Sequence, residues 1–596
     1  MFKTTLPIAL CAILVASAEA RELALEPIVI SASKTEQSTK NVTSNFNVIT
    51  AEELQEKHVS SVVDALNLIS GVGFTSNGGL GQAASVYLRG FNSNRVLVLI
   101  DGIRYNDPTG LNGAPFENLM IADIARIEVI KGAQSGIWGA DASAGVINII
   151  TNDAQKGVHG TINGEYGSFN TKKYGASASY ATDDYYLKVS SNTTDAKGFS
   201  AQAPKGVNLK TLEDDSYKNR TSSLKLGYKF NETNKMDVLH TIIDAKTEGD
   251  SWGNPDGKYD STTKDRFTSV NFNHTDSFAT TNIYAKESLF KREYPQDSYT
   301  RLFNGEVKEY GLQSKASYLS DDFFVVGADY KNFKHLNEID KEYNNKALFL
   351  TNSNVFNSKT VLTESIRRDV YDKFDNKTTY KIGIRQNFDG SLYFTSNYGT
   401  AYNIPTLYHL YSAYGNSGIN PESTKSYDAS IGYENLKLTY FYNTIENMID
   451  FDMSSFTYNN INGTSTLKGF EIEYKNRVTQ DIAISFNFTE LSAKDKDGAD
   501  LARRAKESMK FGADYYGVEK LHLGLFGEYL GSRYDDKAKT MQTGYYTTMN
   551  FVANYDFSKI VKIYGKIDNI TDKQYQTTSG YASSPRAYYA GVRVLF

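Results

Sequence analysis

The sequence predicts an all-β transmembrane barrel preceded by a small α+β domain. Three observations favour this fold: a two-residue periodicity over most of the chain, an unusual composition, and an alternating apolar strand at the end. The 596 residues include 43 Tyr and 45 Gly but only 10 Pro. Strands that cross a bilayer between aromatic girdles are typically built from such a composition.

The alternation is clearest in residues 224–230, 470–474 and 521–528, where apolar residues alternate with charged or small ones. One apolar and one polar face over about ten residues suits a tilted transmembrane strand. In residues 588–596 the apolar side chains again share one face and end on Phe596. Backbone groups cannot stay unpaired in lipid, so the first and last strands should pair. On the pattern alone, a large soluble β-sandwich or propeller remains the alternative.

Residues 1–20 have the features of a secretory signal sequence. Lys3 supplies a positive charge, residues 6–15 are apolar, and Ala18-Glu19-Ala20 is a small-x-small cleavage site. Cleavage after Ala20 would remove Cys11, which is the only cysteine. We therefore expect an exported chain without a disulfide.

The remaining composition argues against several functional classes. The predicted mature part has no run of 18 apolar residues, so we expect no transmembrane helix. A net charge of −5 without a long basic run argues against a nucleic-acid partner. Neither a nucleophile-elbow motif, a zinc-protease motif nor a phosphate-binding loop is present, so we predict that the protein is not an enzyme.

The segment at residues 26–32 follows the predicted signal closely. Alternating β-branched residues beside a proline predict a strand that has no local partner, and another protein could pair with it by strand addition. The segment consists of Glu26, Pro27, Ile28, Val29, Ile30, Ser31 and Ala32.

Residues 34 to about 153 have a different pattern. Helical spacing over 51–68, with Thr50 and Glu53 as a capping box, predicts one helix. Three nearly continuous apolar segments, at 95–100, 124–130 and 146–150, predict strands buried on both faces. Together they predict a globular α+β domain ahead of the barrel.

Several motifs in this domain resemble the plug of TonB-dependent outer-membrane receptors. They are Ser-Val-Tyr-Leu-Arg-Gly at 85–90, Val-Leu-Ile-Asp-Gly at 98–102, Arg-Ile-Glu-Val-Ile-Lys-Gly at 126–132 and Gly-Val-Ile-Asn-Ile-Ile-Thr at 145–151, together with Ile-Thr-Asp-Lys-Gln-Tyr at 570–575. The resemblance extends over essentially the whole predicted mature chain, in the same order.

The resemblance implies the domain organisation and the partner. It implies an N-terminal segment at 21–33 that carries a TonB box at 26–32. It further implies a plug at 34–153 inside the lumen of a barrel of about 22 antiparallel strands at 154–596. The protein would be a monomeric importer in the lipid of the bacterial outer membrane, driven by the inner-membrane partner TonB. Cargo docking would favour release of the box.

Within that family, residues 77–82, 398–402, 501–506 and 530–535 are similar to the branch that carries cobalamin. The implied cargo is cobalamin or a related corrinoid. Ferric siderophores and haem remain alternatives. A tyrosine-rich chain suits an aromatic funnel for siderophores, and His409 is the histidine to consider for haem.

The candidate cargo contacts lie in two plug loops, at residues 77–82 and 105–115, and in one barrel loop. Three glycines within residues 77–82 would let the backbone approach a bulky planar ligand. Of the contacts that the resemblance implies, Ala83 and Leu111 depart from the branch's residue types. The full candidate set is Asn77, Gly78, Gly79, Gly81, Gln82, Ala83, Ser85, Asn92, Gly110, Leu111 and Arg503.

Two acidic loops suggest a calcium site. Calcium takes six to eight oxygen ligands, which carboxylates from two adjacent loops could supply. The resemblance implies Glu213, Asp215, Asp250 and Asp260 as ligands, although a family carboxylate near residues 199–200 is missing. An ordinary solvated acidic surface is the alternative. Within the plug, Arg89 and Arg126 could pair with Glu128 or Asp101, and the sequence leaves these pairings open.

Overall fold

A computed structural model describes residues 28–251, 253–295, 300–319 and 321–596. The predicted signal sequence and the first two residues of the box, Glu26 and Pro27, lie outside the described residues.

Twenty-two antiparallel strands form a closed barrel, as predicted. The last strand pairs with the first, and Gly160 and Phe596 exchange backbone hydrogen bonds of 2.7 and 3.0 Å. The strands are β10 Gly157–Gly167, β11 Thr171–Ala181, β12 Tyr185–Ala196, β13 Tyr217–Lys229, β14 Asn234–Thr247, β17 Ser261–Thr275, β18 Ala279–Pro295, β19 Thr300–Ser317, β20 Phe323–Leu336, β21 Lys341–Phe356, β22 Thr360–Tyr371, β23 Lys377–Asn387, β24 Tyr393–Asn403, β25 Glu422–Tyr433, β26 Leu436–Asp452, β27 Thr457–Arg477, β28 Ile482–Lys494, β29 Glu507–Val518, β30 Leu521–Leu530, β31 Tyr546–Asp556, β32 Val561–Asp568 and β33 Ala587–Leu595.

The two faces of each strand differ as a membrane barrel requires. In β22, Ser365, Arg367 and Asp369 are buried toward the lumen, whereas Ile366 and Val370 are 51% and 44% exposed on the outside. Only short turns join the strands at one end of the barrel, whereas all the long loops lie at the other end. In bacterial outer-membrane barrels the short turns are periplasmic and the long loops extracellular. One such loop contains β15 Asp250–Ser251 and β16 Asn254–Lys258, and another contains α4 Leu407–Tyr411.

A plug domain fills the lumen. Its central sheet has the strand order β3 (Phe46–Thr50), β8 (Ile124–Lys131), β9 (Gly145–Thr151), β6 (Val96–Ile100) and β7 (Ile103–Arg104). Strands β6 and β9 are parallel, and the three predicted apolar strands are β6, β8 and β9. Residues 96–100 are buried throughout. The plug elements are β1 Ile28–Val29, β2 Gln37–Ser38, β3 Phe46–Thr50, α1 Ala51–Lys57, α2 Val62–Leu66, β4 Val72–Ser76, β5 Ala84–Leu88, β6 Val96–Ile100, β7 Ile103–Arg104, β8 Ile124–Lys131, α3 Ser135–Trp138 and β9 Gly145–Thr151.

The single helix predicted over residues 51–68 is wrong, because two short helices occupy that stretch. The capping box of Thr50 and Glu53 forms as predicted, but α1 ends at Lys57, and the next residue, His58, has a left-handed φ of 44°. Ser61 then caps α2 with a second capping box. Contacts with the barrel fix the break, since Lys566 Nζ donates to the His58 carbonyl at 3.0 Å and Lys173 Nζ to Ser60 Oγ at 2.8 Å.

Buried ion pairs join the plug to the barrel wall. Arg89 donates to both carboxylate oxygens of Glu471 at 3.0 Å, and Lys131 Nζ lies 3.2 Å from the same carboxylate. All three side chains are at most 1% exposed. Removing one partner of such a buried group would leave an uncompensated charge, at a cost of about 3–5 kcal/mol. The contacts therefore fix how the plug sits in the barrel.

The described part of the chain contains no helix that is long and apolar enough to cross a membrane.

Candidate functional site

Residues 28–32 of the candidate box are docked against the underside of the plug. β1 pairs antiparallel with β2, so that Ile28 faces Ser38 and Val29 faces Gln37. The Val29 side chain is fully buried in a small cluster with Ala32, Val42 and Ile130. The strand predicted to lack a local partner therefore has one in this structure, although it is only two residues long.

The Glu128 carboxylate holds the next two residues of the box. Its Oε2 accepts hydrogen bonds from the Ile30 amide at 3.1 Å, the Ser31 amide at 2.9 Å and Ser31 Oγ at 2.6 Å. Trp138 Nε1 donates to the Ser31 carbonyl at 2.9 Å. The Glu128 side chain is 0% exposed. Hydrogen bonds to a charged group contribute about 1.5–3 kcal/mol each, so these contacts hold the docked segment against the plug.

Arg126 and Lys34 extend this polar cluster. Of the pairings left open by the sequence, Arg126 with Glu128 forms at 2.8 Å, whereas Arg89 binds the barrel instead. Lys34 Nζ lies 3.9 Å from Asp329 Oδ2 of the barrel and 4.1 Å from the ring centre of Phe349. Burial lowers the pKa of Lys34 to about 7, although the Asp329 carboxylate opposes that shift.

The first candidate cargo loop, residues 77–82, connects β4 and β5 and lies beneath the barrel loops. Gln82 Nε2 donates to the Glu248 carbonyl at 2.7 Å. A Cβ placed on Gly79 would lie 3.2 Å from the Phe199 ring, and one on Gly81, whose φ is +80°, would overlap the ring of Tyr217. The glycines thus allow close packing against the barrel. Of the neighbouring candidates, Ala83 is exposed and Ser85 is partly exposed.

The second candidate loop, residues 105–115, contacts a different part of the wall. Arg292 Nη2 lies 2.6 Å from Asp107 Oδ2, and the Leu407 amide donates to the Pro108 carbonyl at 3.0 Å. Gly110 is partly exposed and Leu111 is 37% exposed at the tip. The two plug loops therefore contact different residues of the barrel.

Arg504, which sequence reasoning missed, contacts the candidate residue Asn92. Its guanidinium donates to the Asn92 side chain and to the Gly90 carbonyl at 2.9 Å, and lies 4.9 Å from the ring centre of Tyr87. The predicted Arg503 instead pairs with Asp535 at 3.3 Å. Because the two arginines are adjacent in a loop, no periodicity in the sequence shows which of them contacts the plug.

Three of the four predicted calcium ligands lie together. Oxygen atoms of Glu213, Asp215 and Asp250 are all within 4.8 Å of one another. Asp260 is not part of this group. Asp215 accepts a hydrogen bond from the Ala201 amide, and Asp250 accepts one from the Gln202 amide, both at 2.6 Å.

The charges and the burial of this carboxylate cluster suit a bound cation. Burial, aided by the neighbouring carboxylates, raises the pKa of Asp215 and of Asp250 to about 6. Asp250 Oδ1 is buried without a hydrogen-bond partner among the described residues. A bound cation would supply the missing partner and relieve the repulsion.

An arc of aromatic rings lies at the extracellular ends of β18, β19, β26 and β27 and in the adjoining loops, and sequence reasoning did not locate it. Neighbouring ring centres are 4.8–6.4 Å apart along this arc. The Arg301 guanidinium lies 4.9 Å from the ring centre of Phe303 and donates to Tyr408 Oη at 3.0 Å. The arc consists of Tyr259, Tyr294, Phe303, Tyr408, Tyr458, His409 and Phe451.

His409 has a structural role in its own loop. Its Nδ1 accepts a hydrogen bond from the Thr406 amide at 3.1 Å in the capping box of α4. The side chain is buried, and burial lowers its pKa to about 4. The ring packs edge-on against Tyr458 at 4.8 Å.

Comparison with known proteins agrees with this architecture. The family model "TonB-dependent Receptor Plug Domain" matches residues 38–146, and "TonB dependent receptor-like, beta-barrel" matches residues 151–570. The vitamin B12 transporter BtuB of Vibrio cholerae serotype O1 is 27% identical, and the alignment covers 96% of this chain and 95% of that protein.

Among solved structures, the siderophore receptor PirA from Acinetobacter baumannii has a TM-score of 0.79 at 16% identity, covering 92% of this chain and 98% of that one. The ferripyoverdine receptor of Pseudomonas aeruginosa has a TM-score of 0.78 at 14% identity, covering 96% and 89%. At such low identity, these two comparisons establish the fold alone. The family models, which together match most of the chain, establish more: the chain belongs to the TonB-dependent receptors of the bacterial outer membrane.

Proposed function

We propose that this receptor imports cobalamin or a related corrinoid across the outer membrane, by a TonB-driven mechanism rather than as an enzyme. The observation that carries the coupling part is the docked segment at residues 28–32, held by Glu128 at the periplasmic side of the plug. The cargo part is supported by the similarity to a vitamin B12 transporter over nearly the full length of both chains.

Coupling requires that the docked segment exchange partners. TonB would pair with the backbone of residues 26–32 by strand addition, and β1 would have to leave β2 and the Glu128 carboxylate. Cargo can promote this release only if it binds the released state more tightly than the docked state. The two cargo loops contact barrel loops at the mouth, where a ligand could alter how the plug packs.

A ferric siderophore is the second candidate cargo. The aromatic arc favours it, because the rings of the arc and the Arg301 guanidinium suit an anionic chelate that carries aromatic catecholate rings. Haem is supported less well, because Nδ1 of His409 already has a hydrogen-bond partner and the side chain is buried.

Calcium is the proposed cofactor of the extracellular loops. Glu213, Asp215 and Asp250 would hold it. Because Ala201 and Gln202 are hydrogen-bonded to two of these carboxylates, the ion would order the loop that covers Gly78 and Gly79. In this way calcium would support cargo binding without contacting the cargo.

A proline in the box tests the coupling. We expect Ile28→Pro to reduce cyanocobalamin uptake to less than a tenth, while binding to the cell surface stays within twofold of the original protein. Proline removes an amide donor that strand addition needs. Ile28→Ala keeps that donor and should retain more than half of the uptake. Normal uptake by the proline variant would contradict the assignment of the box.

Binding measurements on the purified receptor discriminate between the cargoes. We expect cyanocobalamin to bind, and Asn92→Ala to weaken its binding at least tenfold, because truncating a residue that carries much of the binding energy costs about 2 kcal/mol or more. Ferric enterobactin and haem should bind at least a hundredfold more weakly. If ferric enterobactin alone binds and Arg301→Ala abolishes that binding, the second candidate replaces the first.

Calcium binding should depend on pH. The pKa of Asp215 and of Asp250 is raised in the metal-free loop, so ionisation of these carboxylates as the pH rises through about 6 destabilises that loop. A bound calcium ion offsets this loss of stability once the carboxylates are ionised. We therefore expect calcium affinity, measured by isothermal titration calorimetry, to fall at least tenfold between pH 7.5 and pH 5. Asp250→Asn should abolish tight binding, and Asp214→Asn, an exposed neighbour outside the cluster, should not. Equal affinity at both pH values would refute the site.

A further inference from the structure

Arg292 of β18 connects the second candidate cargo loop, residues 105–115, to the barrel wall. Its Nη2 lies 2.6 Å from Asp107 Oδ2 and 3.4 Å from Thr109 Oγ1, and both of these residues belong to that loop. A Cβ placed on Gly110, a candidate cargo contact, would lie 3.3 Å from the same nitrogen. The guanidinium also lies 5.2 Å from the ring centre of Phe303, which belongs to the aromatic arc. One side chain therefore contacts the loop, a candidate cargo residue and the arc.

The loop fits closely against the wall at this contact. Asp107 Oδ1 accepts hydrogen bonds from the Thr109 amide at 2.8 Å and from the Thr109 hydroxyl at 2.7 Å. A Cβ placed on Gly305 of β19 would lie only 3.0 Å from that oxygen. Asp107 is 3% exposed and Thr109 is fully buried. Because Oδ1 is used within the loop, the ion pair through Oδ2 ties this turn to Arg292 and so to the barrel.

A second carboxylate, that of Asp265 in β17, is buried near Arg292 without a counter-charge. The residue is 1% exposed, and its Oδ1 accepts a hydrogen bond from the Lys291 amide at 3.3 Å. Its Oδ2 has no hydrogen-bond partner, and Asp265 forms no ion pair, among the residues that the structure describes. Burying an isolated ionised carboxylate is so costly that the group takes up a proton instead. Asp265 is therefore protonated while Arg292 is bound to the loop.

Asp265 and Arg292 are diagonal neighbours on adjacent strands. Arg292 pairs directly with Thr263, and Asp265 is the next residue of β17 that faces the lumen. Diagonal neighbours of an antiparallel pair are about 7–8 Å apart, which is within reach of a long side chain. Arg292 Nε is buried and donates no hydrogen bond to any described residue. A rotation of the Arg292 side chain would exchange Asp107 for Asp265, and a guanidinium can bind a carboxylate through two parallel hydrogen bonds.

The other titratable groups that face this pair do not supply a second cation. The Tyr105 hydroxyl donates to the Pro115 carbonyl at 3.3 Å, and the ring of His335, whose strand partner Gly305 contacts Asp107, is hydrogen-bonded to a backbone carbonyl. Three carboxylates therefore compete for one guanidinium. The complete set of facing groups is Tyr105, Asp107 and Glu117 of the plug, Arg292 and Tyr294 of β18, and His335 of β20.

We propose that Arg292 alternates between Asp107 of the plug and Asp265 of the barrel, and that this exchange determines whether the second cargo loop is held against the wall. Asp265 is a positioning residue, because it acts on the loop through Arg292. While Asp265 is protonated, Arg292 stays on Asp107 and the loop is held. When Asp265 loses its proton to the solvent of the mouth, it draws Arg292 away, and Asp107 moves with the loop toward water.

This inference rests on the proposed import function and adds to it how the second loop is held. Release of the loop should increase as the pH rises, since Asp265 competes for Arg292 only when it is ionised. The exchange also gives Arg292 a partner after the loop has moved. No buried guanidinium is then left without a counter-charge, which would otherwise oppose the movement strongly.

The mobility of the loop tests the exchange in the purified full-length receptor without cargo. A nitroxide label is attached to Leu111→Cys at the tip of the loop, where the side chain is 37% exposed. We expect the mobile component of the electron paramagnetic resonance spectrum to be at least threefold larger at pH 8.5 than at pH 5.5. Asp265→Asn cannot release a proton and should keep the label immobile at both pH values. Asp265→Glu should restore at least a twofold change.

Three further variants with the same label separate this exchange from other causes. Asp107→Asn removes the plug partner and should make the label mobile at both pH values. Asp244→Asn removes a carboxylate that pairs with arginines on the outer face of the barrel, and His335→Gln removes the nearby histidine. Both should keep the pH profile of the parent protein. An unchanged spectrum across the pH range, the parent profile in Asp265→Asn, or loss of the profile in His335→Gln would overturn the exchange.

Cargo affinity measured on the unlabelled receptor tests what the exchange does. With saturating calcium, we expect the affinity for cyanocobalamin to fall at least threefold from pH 5.5 to pH 8.5 in the parent protein and to stay constant in Asp265→Asn. The held loop presents Gly110 and Leu111 at the mouth, which is why its release should weaken binding. A constant affinity in the parent would overturn the effect on cargo. Absence of any binding would contradict the proposed cargo, whereas the mobility measurement decides the exchange by itself.

Discussion

The need to pair every backbone polar group inside the membrane determines the rest of this structure. An open sheet edge in lipid would leave amides and carbonyls unsatisfied, so the strands must close into a ring. β33 meets this requirement by pairing with β10 over residues 161–167. A ring of 22 strands is too wide for its own side chains to fill. A separate domain therefore occupies the lumen, and the polar inner wall is satisfied largely by that domain.

Buried ion pairs attach the plug to the barrel wall, and they make its position specific. Arg89 and Lys131 insert into a wall that carries Glu471, and Arg95 forms a bidentate pair with Glu422. Such pairs give little net stability over an apolar interface, but they strongly penalise a misplaced plug. A buried charge also fixes the box at the periplasmic end. There the Glu128 carboxylate accepts hydrogen bonds from the amides of residues 30 and 31 and from the Ser31 hydroxyl. These hydrogen bonds hold the segment against the plug, but a competing strand that pairs with the same backbone groups could replace them.

The sequence predicts the parts of the structure that follow from periodicity and family motifs. The barrel, the three apolar plug strands and the capping box at Thr50 are of this kind. The break at His58 is not, because lysines of β11 and β32 stabilise it from far along the chain. Glu128 could be recognised as part of a motif, but its partner Ser31 is 97 residues away. Arg504 was missed for a similar reason, since the conformation of the loop decides which of two adjacent arginines contacts the plug.

The buried Glu128 carboxylate keeps the box docked, and the accessibility of the box to a thiol reagent measures this. With Ile30→Cys as a reporter, the rate of modification by the reagent is measured in the purified receptor. We expect Glu128→Gln to raise this rate at least tenfold, because loss of one or two charge-assisted hydrogen bonds costs about 1.5–3 kcal/mol each. Arg126→Gln, which leaves the contacts of the box with Glu128 intact, should change the rate less than threefold. An unchanged rate in Glu128→Gln would show that Glu128 does not hold the box.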